Sequence, residues 1–528
     1  MSITSLAFAV FVFALLLIYY VVPKKYQWVV LLGASLFFYL TVGGKAIIYI
    51  LATSVTVYAA TNAMQSVSDG QKAFFKQNKD SLTKEDKKAI KQKNKIKRRR
   101  IMLLTLIFNI GLLCVFKYLN FASAQINALA SLFGVTLLRD RYNLIVPLGI
   151  SFYTFQSVGY LVDVYWENVR AEKNYAKVLL FVSFFPQITQ GPISEFEQLS
   201  EQLFAEHTFS YHNYSYGLWR MVWGFMKKMI LANMLAPYVA DVFSNYAQYA
   251  GITVFIGAVM YSVQIYADFS GYMDIMCGLC QMLGITLTEN FMRPYFSKSV
   301  AEYWRRWHIS LGAWFKKYIY FPIAMSGGSR RLAGACRERF GKHFADTLPA
   351  SLALIVTWLA TGLWHGASWS YIVWGGVNGM FIILSLWMEP LYNKLKTSLR
   401  IDEDALWLRV FRVVRTFILV TFIKVLPEVG TLSQGLGLIG RIFTGISAPL
   451  TGGLLPFVTS RLNLLVVLAM TALLFAVSVI QRRRKIRDIV NKVPLVVRVA
   501  AISCAFLLLI MFGVPATGGN GGFMYAQF

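Results

Sequence analysis

The sequence predicts an all-α, polytopic membrane protein, and three observations carry that expectation. First, 57% of the 528 residues are hydrophobic and only 15% are charged, whereas soluble domains sit nearer one half and one quarter. Second, apolar runs close to twenty residues recur from end to end, each long enough to cross a hydrocarbon core. Third, 52 basic against 25 acidic residues give a net charge of +27, and the excess gathers between the apolar runs, as the positive-inside rule requires.

Taken in order, the first run, "SLAFAVFVFALLLIYYVVPKK", has no basic leader and no small-residue cleavage site, so it reads as a retained span near 5–22. Further candidates lie near 28–42, 45–65, 101–119, 122–137, 146–165, 214–245, 252–285, 350–366, 370–388, 409–426, 433–448, 462–480 and 496–513. Some are too short or too interrupted to cross alone. The expectation is therefore about eleven transmembrane helices plus re-entrant and amphipathic interfacial helices. Residues 28–42 and 176–193 are the re-entrant candidates. The second of these is interrupted by Pro186, Gly191 and Pro192, and a broken segment survives at depth only against protein or a cavity.

The polar parts are short. Residues 66–100, ending in "KKAIKQKNKIKRRR", read as a cytosolic Lys/Arg-rich loop against anionic headgroups, and "QRRRKIRDIVNK" at 481–492 is expected on the same side. Residues 194–212 read as a surface amphipathic helix and 324–348 as a basic loop. None is long enough for a separate soluble domain, so residues 1–528 are expected to form one membrane-embedded domain. The basic runs lack the interleaved aromatics of a nucleic-acid groove, which argues against nucleic acid as a partner. The five cysteines, Cys114, Cys277, Cys280, Cys336 and Cys504, are scattered. A lone Cys277-x-x-Cys280 without a second pair or a nearby histidine reads as small buried hydrophobes, and no metal site is expected.

Residues 289–323, "ENFMRPYFSKSVAEYWRRWHISLGAWFKKYIYFP", are too charged to cross and too aromatic for a free loop. At helical spacing Trp304, His308, Leu311 and Phe315 share one stripe, with Trp307 and Trp314 alongside. Arg305, Arg306, Lys316 and Lys317 lie off it. The segment is expected to be an amphipathic helix at, or dipping from, the membrane surface.

Five histidines occur. His207, His212 and His343 fall in polar segments and read as solvated, whereas His308 and His365 sit among apolar and aromatic residues. An ionisable group at membrane depth is a functional-site hypothesis. Around His365, in "WLATGLWHGASWSYIVWG" (358–375), Thr361, Gly362 and Ser368 mark a face turned toward a partner helix or a water-filled channel rather than lipid. Such an imidazole suits proton abstraction from a hydroxyl, and serves equally as hydrogen-bond glue between helices.

No phosphate loop, HExxH or GxSxG motif occurs. Gly435, Gly437 and Gly440 spell a GxGxxG pattern, but inside an apolar segment without strand context they read as packing glycines. Asp268 and Asp274 are intramembrane carboxylates whose six-residue spacing puts them on different faces of a helix. They also keep a proton-coupled transporter open as a reading of another class, which would call for paired broken repeats; no self-similar halves are visible.

Five blocks resemble the membrane-bound O-acyltransferase family: "VPLGISFYTFQSVGYLVDVY" (146–165), "FFPQITQGPI" (184–193), "YADFSGYMDIMCGLCQMLGI" (266–285), "NFMRPYFSKSVAEYWRRWHISLGAWF" (290–315) and "GLWHGASWSYIVWG" (362–375). They are most similar to its bacterial alginate and peptidoglycan O-acetyltransferase branch, as is the ending "FMYAQF". The resemblance implies transfer of an acyl group, acetyl foremost, from a cytosolic thioester such as acetyl-CoA to a hydroxyl of an extracytoplasmic cell-envelope polysaccharide. It implies no bound cofactor. It implies His365 as the base and His308 as the group that positions or polarises the thioester.

By the same resemblance Arg305, Arg306, Lys316 and Lys317, with Trp304 and Trp307, are candidates to bind the donor. Asp268, Asp274, Trp364, Ser368 and Asn378 are candidates to line the acceptor side of a central tunnel. A multi-pass location in the bacterial cytoplasmic membrane and an extracytoplasmic or membrane-anchored acyl-transfer partner are implied as well. One departure is Lys316-Lys317-Tyr318 where the family pattern carries Arg-Asp-Tyr. D-alanyl transfer to teichoic acid and lipid acylation stay open within the family; Asp274 favours O-acetylation over D-alanylation.

Overall fold

The computed structural model describes residues 1–139, 141–445, 461–484, 486–490 and 492–515. The "FMYAQF" ending and the end of the span expected at 433–448 lie outside the described residues. Among the described residues the chain is helical and strandless, with one isolated bridge between Phe291 and Trp307. Its contacts fall into two units: Met1–Ser215 with Leu279–Leu287, and Tyr216–Gly278 with Thr288–Phe528.

In the first unit α1 (Leu6–Val21) starts where Ser5 Oγ accepts from Phe8 N at 3.3 Å, meeting one of the orphan donors of a helix start. α2 (Gln27–Gly43) is continuous where a re-entrant piece was expected. α3 (Ile47–Gln77) and α4 (Lys84–Ala130) carry helix into the Lys-rich region expected to be a loop, leaving only 78–83 as a turn. The reason is local. Lys, Glu and Arg are good helix formers whatever their charge, and Thr83 with Asp86 closes a capping box at the start of α4.

α5 (Ile150–Tyr165) follows, then α6 (Tyr175–Ser183) and the single turn α7 (Phe185–Ile188). Phe184, with φ −54° and ψ 107°, interrupts these two, so 176–193 is broken as its prolines require, and Phe181 to Ile188 are buried. α8 (Phe196–Leu203) occupies only part of the stretch 194–212 expected as a surface helix. His207 follows it, partly buried, its Nε2 2.8 Å from the Gln202 carbonyl.

The second unit starts within α9 (Tyr211–Phe225). A π-helical turn, Met226–Ala232, links α9 to α10 (Asn233–Ser244), and α11 (Gly251–Met282) follows. Two short helices, α12 (Val300–Arg306) and α13 (Ile309–Phe315), lead through a second π-helical turn to α14 (Phe321–Ala324) and the long α15 (Gly327–His365). The segment 324–348, expected as a loop, is thus largely helical. Ser326 Oγ caps it by accepting from Ser329 N at 3.1 Å, and only Gly341, at φ +81°, breaks it.

α16 (Trp369–Trp387) packs along the end of α15 at glycine-limited distance. A Cβ on Gly375 would stand 2.3 Å from the Trp358 carbonyl oxygen, and one on Gly362 2.3 Å from that of Tyr371. α17 (Glu389–Ser398), α18 (Leu406–Val425), α19 (Leu432–Thr444), α20 (Arg461–Ile480), α21 (Ile486–Val490) and α22 (Leu495–Phe512) complete the described chain.

Seven helical stretches among the described residues are long and apolar enough to cross a membrane. The sequence led to an expectation of about eleven. Part of the difference is visible. Lys24–Gln77 joins α2 and α3 through a tight turn, the 16 residues of α1 fall just short, and α18 carries Arg409, Arg412, Arg415 and Lys424. The chain is a multi-pass membrane protein.

Candidate active site

His308 does not lie on a continuous amphipathic stripe. The helix stops at Arg306 and restarts at Ile309, and His308 forms the joint, with φ +48° and ψ +53°. A non-glycine residue held in the left-handed region is strained and needs surroundings that impose it. Here an extended segment pins both sides of the joint. Met292 N donates to Arg306 O (2.9 Å), Ile309 N to Asn290 O (3.1 Å) and Ser310 N to Asn290 Oδ1 (2.9 Å). The joint turns the imidazole into an aromatic box. Phe269 of α11 meets it edge-on at 4.9 Å between ring centroids, and Trp364 of α15 lies at 6.1 Å. The residue is 1% exposed, and burial pushes its pKa down to about 3, so the ring is neutral at physiological pH.

His365 is the last residue of α15, 7% exposed. Trp364 and Trp374 stand edge-on to it, each at 4.9 Å, and Tyr371 stacks at 6.4 Å and 13°. One indole, Trp364, therefore neighbours both imidazoles. The fold brings together two histidines that lie far apart in sequence. Next to His365 is a cavity of about 40 Å³, bounded also by Trp304, Trp307, Tyr261, Lys424 and Glu428. That is room for a water or a hydroxyl group, with polar partners at hand.

The other expected site residues take several places. Trp304 donates from Nε1 to Asn378 Oδ1 at 2.9 Å and packs on Trp358 and Trp374, fixing α12 to α15 and α16. Trp307 is buried against Phe291 (4.9 Å), with the Lys424 ammonium 4.1 Å above its ring. Arg305 and Lys316 are exposed. Arg306 pairs with Glu302 (2.6 Å), and Lys317 lies over Tyr318 (5.2 Å). Ser368 caps α16, its Oγ accepting from Tyr371 N at 3.4 Å.

Asp268 and Asp274 lie away from the cavity walls, inside ion pairs. Asp268 meets Lys228, both almost fully buried. Asp274 takes Arg220 Nε at 2.8 Å and Lys227 Nζ at 2.7 Å, and Arg220 also holds Glu289 in a two-pronged contact of 2.7 and 2.5 Å. The two carboxylates face different ways on α11, and the π-helical turn supplies a separate lysine to each. Close approach is built in: a Cβ on Gly271 would stand 2.9 Å from the Gly224 carbonyl oxygen.

Reading from sequence missed Lys227, Lys228, Lys424 and Glu428. The signal was present in "FMKKMIL" and "FIKVLPEVG", where cations interrupt otherwise apolar runs. Tyr261 and Tyr371 carry no such signal, because a tyrosine in an apolar run reads as core.

Among the described residues the chain is strandless, and it buries one histidine at a helix break and a second at the end of a long helix, with Trp364 beside both. Residues 169–334, which include His308, match the sequence model of "MBOAT, membrane-bound O-acyltransferase family". It is 35% identical over 322 residues to "Probable alginate O-acetylase AlgI" of Azotobacter vinelandii, covering 61% of this chain and 58% of that protein. It is 31% identical over 340 residues to the "Peptidoglycan O-acetyltransferase" of Helicobacter pylori, covering 60% of each. With the "Teichoic acid D-alanyltransferase" of Streptococcus thermophilus it shares 26% identity over 282 residues, 51% of this chain and 65% of that one. The chain thus spans about six tenths of the length of the curated relatives it matches.

Proposed function

We propose that this chain is a membrane O-acyltransferase of the bacterial cytoplasmic membrane. It moves an acyl group, acetyl foremost, from a cytosolic thioester such as acetyl-CoA to a hydroxyl of an extracytoplasmic cell-envelope polysaccharide. The observation that carries this reading is the pair of buried imidazoles sharing Trp364, one of them beside a cavity of hydroxyl size. His365 takes the proton of the acceptor hydroxyl as its oxygen attacks the thioester carbonyl. His308, neutral, offers an N–H to the oxygen on which negative charge develops. Arg305 and Lys316, both exposed, meet the phosphates of a CoA-type donor in this reading, and Trp304 and Trp307, which line the cavity, lie near the acyl carbon. An extracytoplasmic or membrane-anchored partner completes delivery to the polymer.

D-alanyl transfer from a carrier thioester is the second reading, favoured by the resemblance to the teichoic acid enzyme. Proton-coupled transport is disfavoured, because Asp268 and Asp274 are held in ion pairs.

The test is acyl transfer from labelled acetyl-CoA to isolated cell-envelope polysaccharide, in membranes with matched protein levels. His365→Ala is expected to lower transfer by about 10²–10⁴-fold and His308→Ala by about 10²–10³-fold. Equal labelling by wild type and His365→Ala would sink the mechanism. Labelling from D-alanyl carrier protein but not from acetyl-CoA would favour the second reading.

A further inference from the structure

The cavity beside His365 holds a carboxyl group that the mechanism above leaves idle. Glu428 lies in the turn after α18, where its backbone N–H donates to Val425 O at 3.1 Å. From there its side chain reaches the wall of the same 40 Å³ cavity that His365 lines. Tyr261, on α11, donates from its hydroxyl to Glu428 Oε2 at 2.7 Å, which fixes the carboxyl in place. The turn itself is tied to the start of α16, where Ser370 Oγ donates to Gly430 O at 3.5 Å.

The titratable and charged groups facing Glu428 come from four helices. They are Tyr261 (α11), His365 (α15), Tyr371 (α16) and Lys424 (α18). Lys424 is engaged elsewhere, donating to Tyr295 Oη at 2.7 Å and lying over the Trp307 ring. Asp268 and Asp274 are paired with cations. Glu428 instead takes a phenol and faces the cavity.

We propose that Glu428 is a further acid–base residue of the acyl transfer, receiving across this cavity the proton that His365 takes from the acceptor hydroxyl. The inference rests on the reading of His365 as the base. In the step, the acceptor O–H bond breaks and its proton passes to His365. The oxygen forms the new C–O bond to the thioester carbonyl carbon, and the C–S bond breaks with its electron pair on sulfur. His365 then passes the proton to the Glu428 carboxylate and is neutral again. Glu428 releases it to water while the thiolate takes one up, so the net change is ester and thiol from alcohol and thioester. Burial holds the Glu428 carboxyl up at about 7, against the lowering effect of the Tyr261 hydrogen bond, so it gains and loses a proton near neutral pH.

Two measurements test this, one of them independent of turnover. In the pH profile of polymer labelling from acetyl-CoA, Tyr261→Phe removes a bond that favours the carboxylate, so the acid limb moves to higher pH. Glu428→Gln is expected to lower labelling by about 10-fold or more. Adding Tyr261→Phe to it is expected to leave the limb where it is. A limb that still moves in the double variant overturns the proposal, as does an unchanged profile in Glu428→Gln.

For the purified protein in detergent, an infrared titration follows the protonated-carboxyl band. A band titrating near pH 7 that disappears in Glu428→Gln, and whose midpoint shifts in His365→Ala, shows the two groups coupled through the cavity. A midpoint indifferent to His365→Ala overturns the coupling. If His365→Ala labels polymer as well as wild type does, the reading of His365 fails instead, and the infrared coupling stands or falls apart from it.

Discussion

Around α11 two sets of buried and half-buried ionisable groups sit within one unit on opposite plans. Asp268 and Asp274 each meet cations directly, Lys228 for one and Arg220 with Lys227 for the other, with helices pressed together at Gly224 and Gly271. His365 and Glu428 instead face a cavity among tryptophans and tyrosines, with Lys424 turned toward Tyr295. A charge in a membrane protein is expensive in either setting. Where opposite charges close on one another, the cost is offset by pairing. Where a cavity intervenes, the groups keep the freedom to exchange protons with something that enters. Depth and charge together therefore do not identify a reactive site. Access does.

Four single substitutions and one double variant sharpen or break this contrast, taken from the largest effect to the smallest. Lys228→Met leaves Asp268 buried without its cation and is expected to destabilise the protein by about 3–5 kcal/mol. Lys228→Met with Asp268→Leu should recover most of that. Chemical denaturation in detergent reads both, and transfer per folded molecule should stay unchanged; a loss of turnover in the double variant would move this pair into the chemistry. Gly271→Ala forces a Cβ toward the Gly224 carbonyl and should cost about 1–3 kcal/mol, visible as a lower melting temperature.

Asn378→Leu removes the acceptor of the Trp304 indole N–H and should cost about 0.5–1.5 kcal/mol. Because Trp304 walls the cavity, it should also lower transfer, which the melting curve alone would not reveal. Glu302→Gln breaks a partly exposed pair with Arg306 and should cost less than about 1 kcal/mol. A larger loss would mean that the pair holds the helix break at His308.

Much of this architecture was legible before any coordinate, but unevenly. Apolar length located the helices, and the odd histidines marked 308 and 365 as chemically unusual. Charge density misled at 66–100 and 324–348, because lysine and arginine favour helix as readily as they favour solvent, and because a single cap at Thr83 or Ser326 starts a helix that composition alone reads as loop. The break at Trp307–His308 was hidden for the opposite reason. Its residues continue a helical stripe, and what interrupts them is pairing with 290–292, a contact no local pattern announces. Glu428 was invisible because one acid after an apolar run looks like the polar edge of a span. Only the fold shows Tyr261 waiting for it.

The left-handed backbone at His308 has a consequence for anyone who evolves this protein in the laboratory. Holding a residue with a Cβ there costs about 1–2 kcal/mol, and asparagine or glycine would be more at ease in the same conformation. A screen that rewards only expression or heat tolerance would therefore favour departure from histidine at this position. On the role proposed for His308, a screen that rewards turnover would restore it. Rankings of position 308 by the two screens should run in opposite directions, so a library selected for robustness must be checked for transfer at every round.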